Sequence, residues 1–452
     1  MKTIVIGCGQ IGRSIVSSLT GEGYDVTAVD TDPQAVEQIA NIYDVMTLCG
    51  SGTDCDALEE AGVSDCDLFI ACATSDELNM LSCFLARRMG AKHTIARIRN
   101  PENNDSSLSF MKQQLDLSLA INPEQLAAQE AINILKFPAA VKIEHFSRRN
   151  FEMIEVRLSP DSILDGLTLR QMREKYNAGY LISAVQRGEE VFIPDGNFVL
   201  HSGDKIGITA SPPEAQKLMK LLGLSKKQPK SVMIYGIGKA SYYLAKGLLG
   251  IGISVKVISK DRKLCEEFSA LLPDAIVLHA SDATQETLLE EGLADTDAFV
   301  ALTERDEDNL ITSISVFLQN VPNVITRLDK EELCSLAVKI GLDCVITPTD
   351  IASNIVVRYA RALENTGESK VETLYKLMDG KAEALEFKVG DDSPILGVPL
   401  KDVKFKKNIL IAGILRNRKV IIPSGFDSIQ AGDNIVVLAA GRRIQSLSEI
   451  LD

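Results

Sequence analysis

Residues 4–12 read Ile-Val-Ile-Gly-Cys-Gly-Gln-Ile-Gly, an apolar strand running directly into Gly7-x-Gly9-x-x-Gly12. A lone Gly-x-Gly-x-x-Gly is a weak signal. Here it follows a strand, opens a helical pattern and is trailed by Asp30 at the end of the next strand, which is the context a dinucleotide site requires. The arrangement returns as Ser231-Val-Met-Ile-Tyr-Gly236-Ile-Gly238-Lys-Ala-Ser241, 229 residues later and without the third glycine. Far downstream, Ile193-Pro-Asp-Gly196 with Gly203-Asp204 is matched by Ile422-Pro-Ser-Gly425 with Gly432-Asp433, again 229 residues apart. The chain is therefore one unit of about half its length, duplicated in tandem.

Working outward from residue 4, strand-like runs fall at 2–6, 25–29, 45–48, 68–73 and 94–98, with helical patterns between them. That alternation predicts a doubly wound parallel sheet. A polar loop is expected over 101–107, a helical run from Leu108, and another helix opened by Ile121-Asn-Pro123-Glu. From Val141 the pattern changes to short strands separated by turns, with helices at 169–175 and 214–222, which reads as a small α+β domain. Gly223–Lys230 is polar and contains proline, as linkers do. The second half repeats the order, with strands near 231–235, 254–258, 275–278, 297–302 and 324–328, a helix opened at Ile346-Thr-Pro348, and a small domain from about 368. The expected fold class is α/β, two Rossmann-like domains each followed by a small α+β domain, with boundaries at 1–137, 138–225, 228–366 and 367–452.

At 452 residues with 45% hydrophobic and 24% charged residues, the composition is that of an ordinary multi-domain globular chain. A net charge of −14 argues against a nucleic-acid backbone as partner, which would need a basic stripe. Nine cysteines without a Cys-x-x-Cys pair read as reduced core thiols, and the four histidines have no zinc-ligand spacing. A strand starting at Lys2 leaves no room for a signal peptide. The 18 uncharged residues from Asn309 to Thr326 are broken by Asn320, Pro322 and Asn323, so a buried helix, a turn and a strand are expected there rather than a membrane span.

At the first site Gly7, Cys8, Gly9, Gln10, Ile11 and Gly12 form the phosphate turn, with the pyrophosphate on free N–H groups at the start of the helix. Asp30 would accept the adenosine ribose hydroxyls and repel a 2′-phosphate, so NAD(H) is favoured over NADP(H). Gly52, Thr53, Ala73, Thr74 and Arg97 lie at the same carboxyl edge, where Arg97 reads equally as a phosphate ligand or a structural ion-pair partner. At the second site Gly236, Ile237, Gly238, Lys239 and Ala240 form the turn, Ser241 replaces the third glycine, and Ser259 stands in place of the carboxylate. Thr303, Glu304 and Arg327 complete it, with Lys260 nearby. This more basic cleft suits ATP or ADP, or holds nothing. No metal site and no catalytic set is expected: the clefts offer acids near Asp76 and Asp306 but no histidine to serve a hydride transfer.

Together, Gly7–Gly12 with Asp30, Thr74-Ser-Asp76-Glu77-Leu-Asn79, Asp306-Glu-Asp-Asn309, Ile-Ala-Arg97, Ile-Thr-Arg327 and Arg187-Gly-x-x-Val-Phe-Ile-Pro194-x-Gly196 resemble the TrkA family over the whole chain. The resemblance implies tandem RCK-N (KTN) and RCK-C modules. It implies a non-enzymatic, nucleotide-sensing regulatory subunit on the cytoplasmic face of the cell membrane. Its partners would be a potassium-translocating subunit of the TrkH/TrkG type and further copies of itself, as a tetramer. Gly50-Ser-Gly52 departs from the Gly-Asp-Ala usual in such modules. An NAD-dependent oxidoreductase, or the gating subunit of another cation channel or antiporter, are the alternative readings.

Overall fold

The computed structural model describes residues 1–100, 105–136, 141–146, 151–176, 179–222, 228–280, 284–364, 371–378, 380–417, 419–444 and 446–452. Most of the linker reading at 223–230, and the domain junctions near 138, 225 and 366, lie outside them. The chain divides into two compact units that cut across its order: residues 1–136 with 229–360, and residues 137–228 with 361–452.

The first unit holds two six-stranded parallel sheets. One runs Met46–Cys49, Asp25–Asp30, Lys2–Ile6, Leu68–Ala71, His93–Arg97, Leu119–Ile121. The other repeats that order with Ile276–His279, Ser254–Ser259, Ser231–Tyr235, Ala298–Ala301, Val324–Arg327 and Val345–Ile346. Order reverses beside the central strand, which opens a crevice at the carboxyl edge above each glycine turn. The strands bury because they are nearly continuous apolar runs; Ile4, Val5, Phe69 and Ile70 are at most 2% exposed. Asp306–Leu318, then Asn320 in the left-handed region, then Val324–Arg327 form the expected helix, turn and strand. No helix among the described residues is long and apolar enough to cross a membrane. The helix expected from Leu108 starts earlier, at Asp105.

Within this unit the halves exchange a helix. Ala127, Ala131, Ile132 and Leu135 of helix Pro123–Lys136 join Leu244, Ala245 and Leu248 of helix Lys239–Leu249, over Val232 and Ile234 of the second half's sheet. Gly247 permits that approach: a Cβ there would lie 2.4 Å from Ile132 Cδ1. In return, helix Pro348–Glu364 reaches the first half, where Ser14 Oγ donates to Thr349 O (3.4 Å) and Ser353 Oγ (3.2 Å), and Tyr359 Oη lies 3.3 Å from His93 Nδ1.

The second unit holds two five-stranded antiparallel sheets of the same order, Glu190–Phe192, Tyr180–Arg187, Lys205–Ala210, Phe151–Arg157, Lys142–Phe146, and Lys419–Ile421, Ile409–Arg416, Asn434–Ala440, Ala382–Lys388, Val371–Leu377. Phe146, Met153 and Ala184 share a core with Leu377, Met378, Val436 and Leu438. Beneath it Glu155, 2% exposed, lies 3.3 Å from Lys205 Nζ and accepts the Met378 N–H at 2.8 Å. The repeated Gly-Asp turn holds a buried carboxylate for an arginine. Asp204 takes a two-pronged contact from Arg187 (2.8 and 2.7 Å), and Asp433 takes the same from Arg416 (2.9 and 2.7 Å). Burial pushes the Asp204 carboxyl up, yet the Arg187 fork and the His201 N–H outweigh it and hold it below the usual range. The copies differ in their helices: Leu169–Tyr176 is α-helical, while its counterpart Leu400–Asp402 is a single 3-10 turn.

Of the cysteines, Cys8, Cys66, Cys72, Cys83 and Cys265 are buried as expected of core thiols, while Cys49 and Cys55 are exposed. Burial pushes the Cys8 and Cys72 thiols up to about 12.

Candidate functional site

A cleft of about 470 Å³ opens at the carboxyl edge of the first sheet, within the usual range of ligand pockets. The turn beneath it is built by the three glycines, each for a different steric reason. Gly7 has φ +95°, and a Cβ on it would meet Ala73 N at 2.8 Å, so the turn needs a residue without a side chain. A Cβ on Gly9 would meet nothing within 4 Å, which leaves its backbone open to the cleft. A Cβ on Gly12 would lie 1.8 Å from Gly7 O, so the helix packs on the turn only through glycine. The helix Gln10–Gly21 then presents free N–H groups to the cleft.

Asp30 is tied to this turn as well as facing the cleft: Oδ2 accepts the Cys8 N–H (2.6 Å) and Oδ1 accepts the Asp32 N–H (2.9 Å). A carboxylate has about four acceptor positions, so two remain for ribose hydroxyls. Gly9, Gln10, Ile11, Gly52, Thr53, Ala73, Thr74 and Arg97 join Gly7 and Asp30 along the lining. Cys8 and Gly12 do not; Cys8 is fully buried and contributes its backbone. A Cβ on Gly52 would collide with Ile6 Cγ2 at 2.5 Å and Ser82 Oγ at 2.8 Å, which explains glycine at this departure from the usual motif.

Sequence reasoning missed the residues that hold the strand ends. Asn79, fully buried, accepts the Ala73 N–H (2.8 Å) and donates to Ala73 O (3.1 Å) and Arg97 O (2.9 Å). Asn309 repeats this on Thr303 N (2.8 Å), Thr303 O (3.0 Å) and Arg327 O (3.0 Å). Asp76 accepts the Arg99 and Asn100 N–H groups, as Asp306 accepts those of Asp329 and Lys330. Ser75 rather than Asp76 caps its helix, accepting from Leu78 N. Pairs of identical clamps recurring in both halves were the available signal.

Arg97 pairs with Glu124 at 2.7 Å inside the cleft wall. Arg327, assigned from sequence to the second site, lines the first cleft with Asp329 and Thr349 of its own half. It pairs with Asp329 at 3.0 Å.

In the second half Gly236 has φ +103°, its Cβ position 2.8 Å from Thr303 N, and Gly238 is open, so the first two glycines repeat their roles. Ser241 is fully buried and turns its hydroxyl back onto Gly236 O at 2.7 Å, so it caps the turn instead of entering the cleft. Ser259 Oγ accepts the Asp261 N–H at 3.3 Å. Ile237 packs on the core, Ala240 is buried, Lys239 begins the helix, and Lys260 and Glu304 are exposed. Residues 281–283, which come after strand Ile276–His279 at this site, lie outside the described residues.

Residues 3–121 and 232–348 match the TrkA-N domain, and residues 153–223 and 384–452 match the TrkA-C domain. The chain is 29% identical over 447 residues to Trk system potassium uptake protein TrkA homolog 1 of Methanosarcina mazei, covering 97% of both. It is 26% identical over 449 residues to Trk system potassium uptake protein TrkA of Haemophilus influenzae, covering 98% and 96%. Among solved structures it is similar in fold to the GsuK channel bound to NAD, with TM-score 0.64, 15% identity and coverage of 97% of this chain and 77% of that one. The GsuK RCK domain superposes with TM-score 0.63 at 16% identity, covering 97% and 92%.

Proposed function

The chain belongs to the TrkA family, with TrkA-N and TrkA-C domains in tandem, and from that premise we propose that it is the nucleotide-sensing regulatory subunit of a Trk-type potassium uptake system. The modules are 1–137, 138–225, 228–366 and 367–452. The first cleft carries the reading: a glycine turn with a helix N-terminus and a carboxylate beside it, in a lining that contains no histidine, lysine or tyrosine among the described residues. Such a cleft binds a nucleotide, with the helix end facing its phosphates and Asp30 its ribose. NAD(H) occupies it. The relatives named as potassium uptake proteins support a membrane partner, a TrkH/TrkG-type subunit against whose cytoplasmic face the chain sits. The second cleft, with Lys239 and Lys260 and no carboxylate at 259, takes ATP or ADP more readily than the first does.

Regulation comes from differential binding. A nucleotide that prefers one assembly shape tenfold shifts the equilibrium by about 1.4 kcal/mol per site, and repeated sites add. The test is potassium uptake by cells carrying the transporter with either the wild-type chain or Asp30→Ala. Nucleotide-independent uptake identical with and without the chain would defeat the proposal.

Asp30→Ala removes acceptors from the ribose and from the Cys8 N–H together. It is expected to weaken NADH by roughly 1–3 kcal/mol, and calorimetry showing wild-type affinity would refute the assignment.

The helices after Pro123 and Pro348, whose apolar faces predict a pairing of modules, join the two halves of one chain. That pairing is satisfied within the chain, so association with further copies rests on other surfaces. Exposed apolar side chains instead stand on helices Asp76–Met89 and Asp105–Gln114 (Leu78, Leu81, Phe110) and on Asp306–Leu318 and Glu331–Ile340 (Ile311, Leu318, Leu336, Ile340). Light scattering is expected to give about four times the 49.2 kDa chain mass. Ile311→Asp with Leu318→Asp should lower it. A chain that scatters as a monomer at micromolar concentration excludes the tetramer.

A further inference from the structure

The ribose carboxylate does not distinguish NAD(H) from ADP or ATP, because all of them carry the same unphosphorylated adenosine ribose. Discrimination has to come from where these ligands diverge, beyond the first two phosphates and toward the end of strand His93–Arg97. Two arginines line the cleft there, Arg97 from the first half and Arg327 from the second. Each has one terminal nitrogen held by a carboxylate, Arg97 by Glu124 at 2.7 Å and Arg327 by Asp329 at 3.0 Å. Their side chains are 13% and 19% exposed, so both are largely desolvated and fixed in place. A guanidinium has five N–H donors in a planar fork, and one carboxylate contact leaves most of them for a ligand.

Resting on the nucleotide reading of this cleft, we propose that Arg327 is a specificity-determining residue of the first site, supplied by the other half of the chain, that lets nucleotides ending in phosphate compete there with the NAD(H) that the site holds. A terminal phosphate offers several charged acceptors to the fork, and such charge-assisted pairs are about twice as strong as neutral ones. A nicotinamide offers one uncharged carboxamide. Asp329 is placed to release the arginine, because its other oxygen accepts the Thr349 N–H at 3.3 Å and keeps a partner when the fork turns to phosphate. Arg327 is itself held at its carbonyl by Asn309, so the fork projects from a fixed point. The two halves therefore share the first site: the first holds the adenosine and pyrophosphate, and the second reads the group attached beyond them.

The experiment uses the full chain and monitors NADH fluorescence on binding, with the signal that Asp30→Ala removes taken as the first cleft. ATP and ADP are then titrated to displace NADH. Arg327→Gln is expected to raise the ATP concentration needed by about tenfold or more, while the affinity for NADH itself changes by less than about threefold. Arg327→Lys keeps a charge for Asp329 without the fork. It is expected to shift ATP alone by a smaller factor, and it is judged by the same criteria if the glutamine variant does not fold. ATP displacement equal to wild type, or NADH weakened as much as ATP, overturns the role of Arg327. A wild-type chain that binds no NADH overturns the nucleotide reading beneath it instead.

Discussion

Gly12→Ala is expected to destabilise the chain by roughly 3 kcal/mol and to abolish nucleotide binding at the first cleft. The new methyl carbon would sit 1.8 Å from Gly7 O. That obstacle is backbone and cannot swing aside, so the helix must withdraw from the turn and carry its N–H groups away from the phosphates. The second half holds Ser241 at the same position, with its hydroxyl bonded to Gly236 O at 2.7 Å, in a turn that accepts a side chain there. Urea unfolding and NADH titration of the variant measure both effects. Wild-type values for both would show that the first turn already has the slack of the second. Ser241→Gly, by contrast, loses one buried hydrogen bond and is expected to cost only about 1 kcal/mol.

Glu155→Ala should be the more damaging change in the small domains, at about 3–5 kcal/mol. It strips the 4%-exposed Lys205 of a carboxylate 3.3 Å away and leaves the Met378 N–H without its acceptor. Removing one member of a buried pair costs more than the pair contributes, because the remaining charge stays desolvated. Glu155→Gln keeps an acceptor for Met378 and should be milder. The second sheet answers the same position with Glu386, which accepts from the neutral Asn434 at 2.9 Å. A fall in urea midpoint with unchanged slope would confirm a stability effect, and a loss under about 1 kcal/mol would contradict it.

The strands of both parallel sheets were legible because buried parallel strands are short, continuous apolar runs bounded by glycine and aspartate, and each observed strand from Lys2–Ile6 to Val324–Arg327 lies within a residue or two of its expected span, the short edge strand Leu119–Ile121 excepted. That strand and Val345–Ile346 were not legible, since two or three residues carry no periodicity. The glycine turn and Asp30 were legible for a related reason: their chemistry is local, and spacing alone specifies it. Arg327 was not. Its place in the first cleft depends on which half's strand end faces which crevice, and nothing in the neighbouring residues encodes that. Asn79 and Asn309 were visible as motif letters, but their work, joining two strand ends through one amide, emerges only once the strands are adjacent.

The exchanged helices also constrain inheritance. A protein whose first half lends Ile132 and Leu135 to the interior of the second, and whose helix Pro348–Glu364 meets Ser14 and His93 of the first in return, cannot discard its first half without leaving an open core in the second. The second copy is thus tied to the first by the helix it houses and by the cleft it helps to line. Its turn holds serine at 241 and its second strand ends in serine at 259, while its apolar face still receives the helix of the first half. Duplication here leaves each half holding a piece of the other: the first supplies a helix to the second's core, and the second supplies Arg327 to the first's cleft.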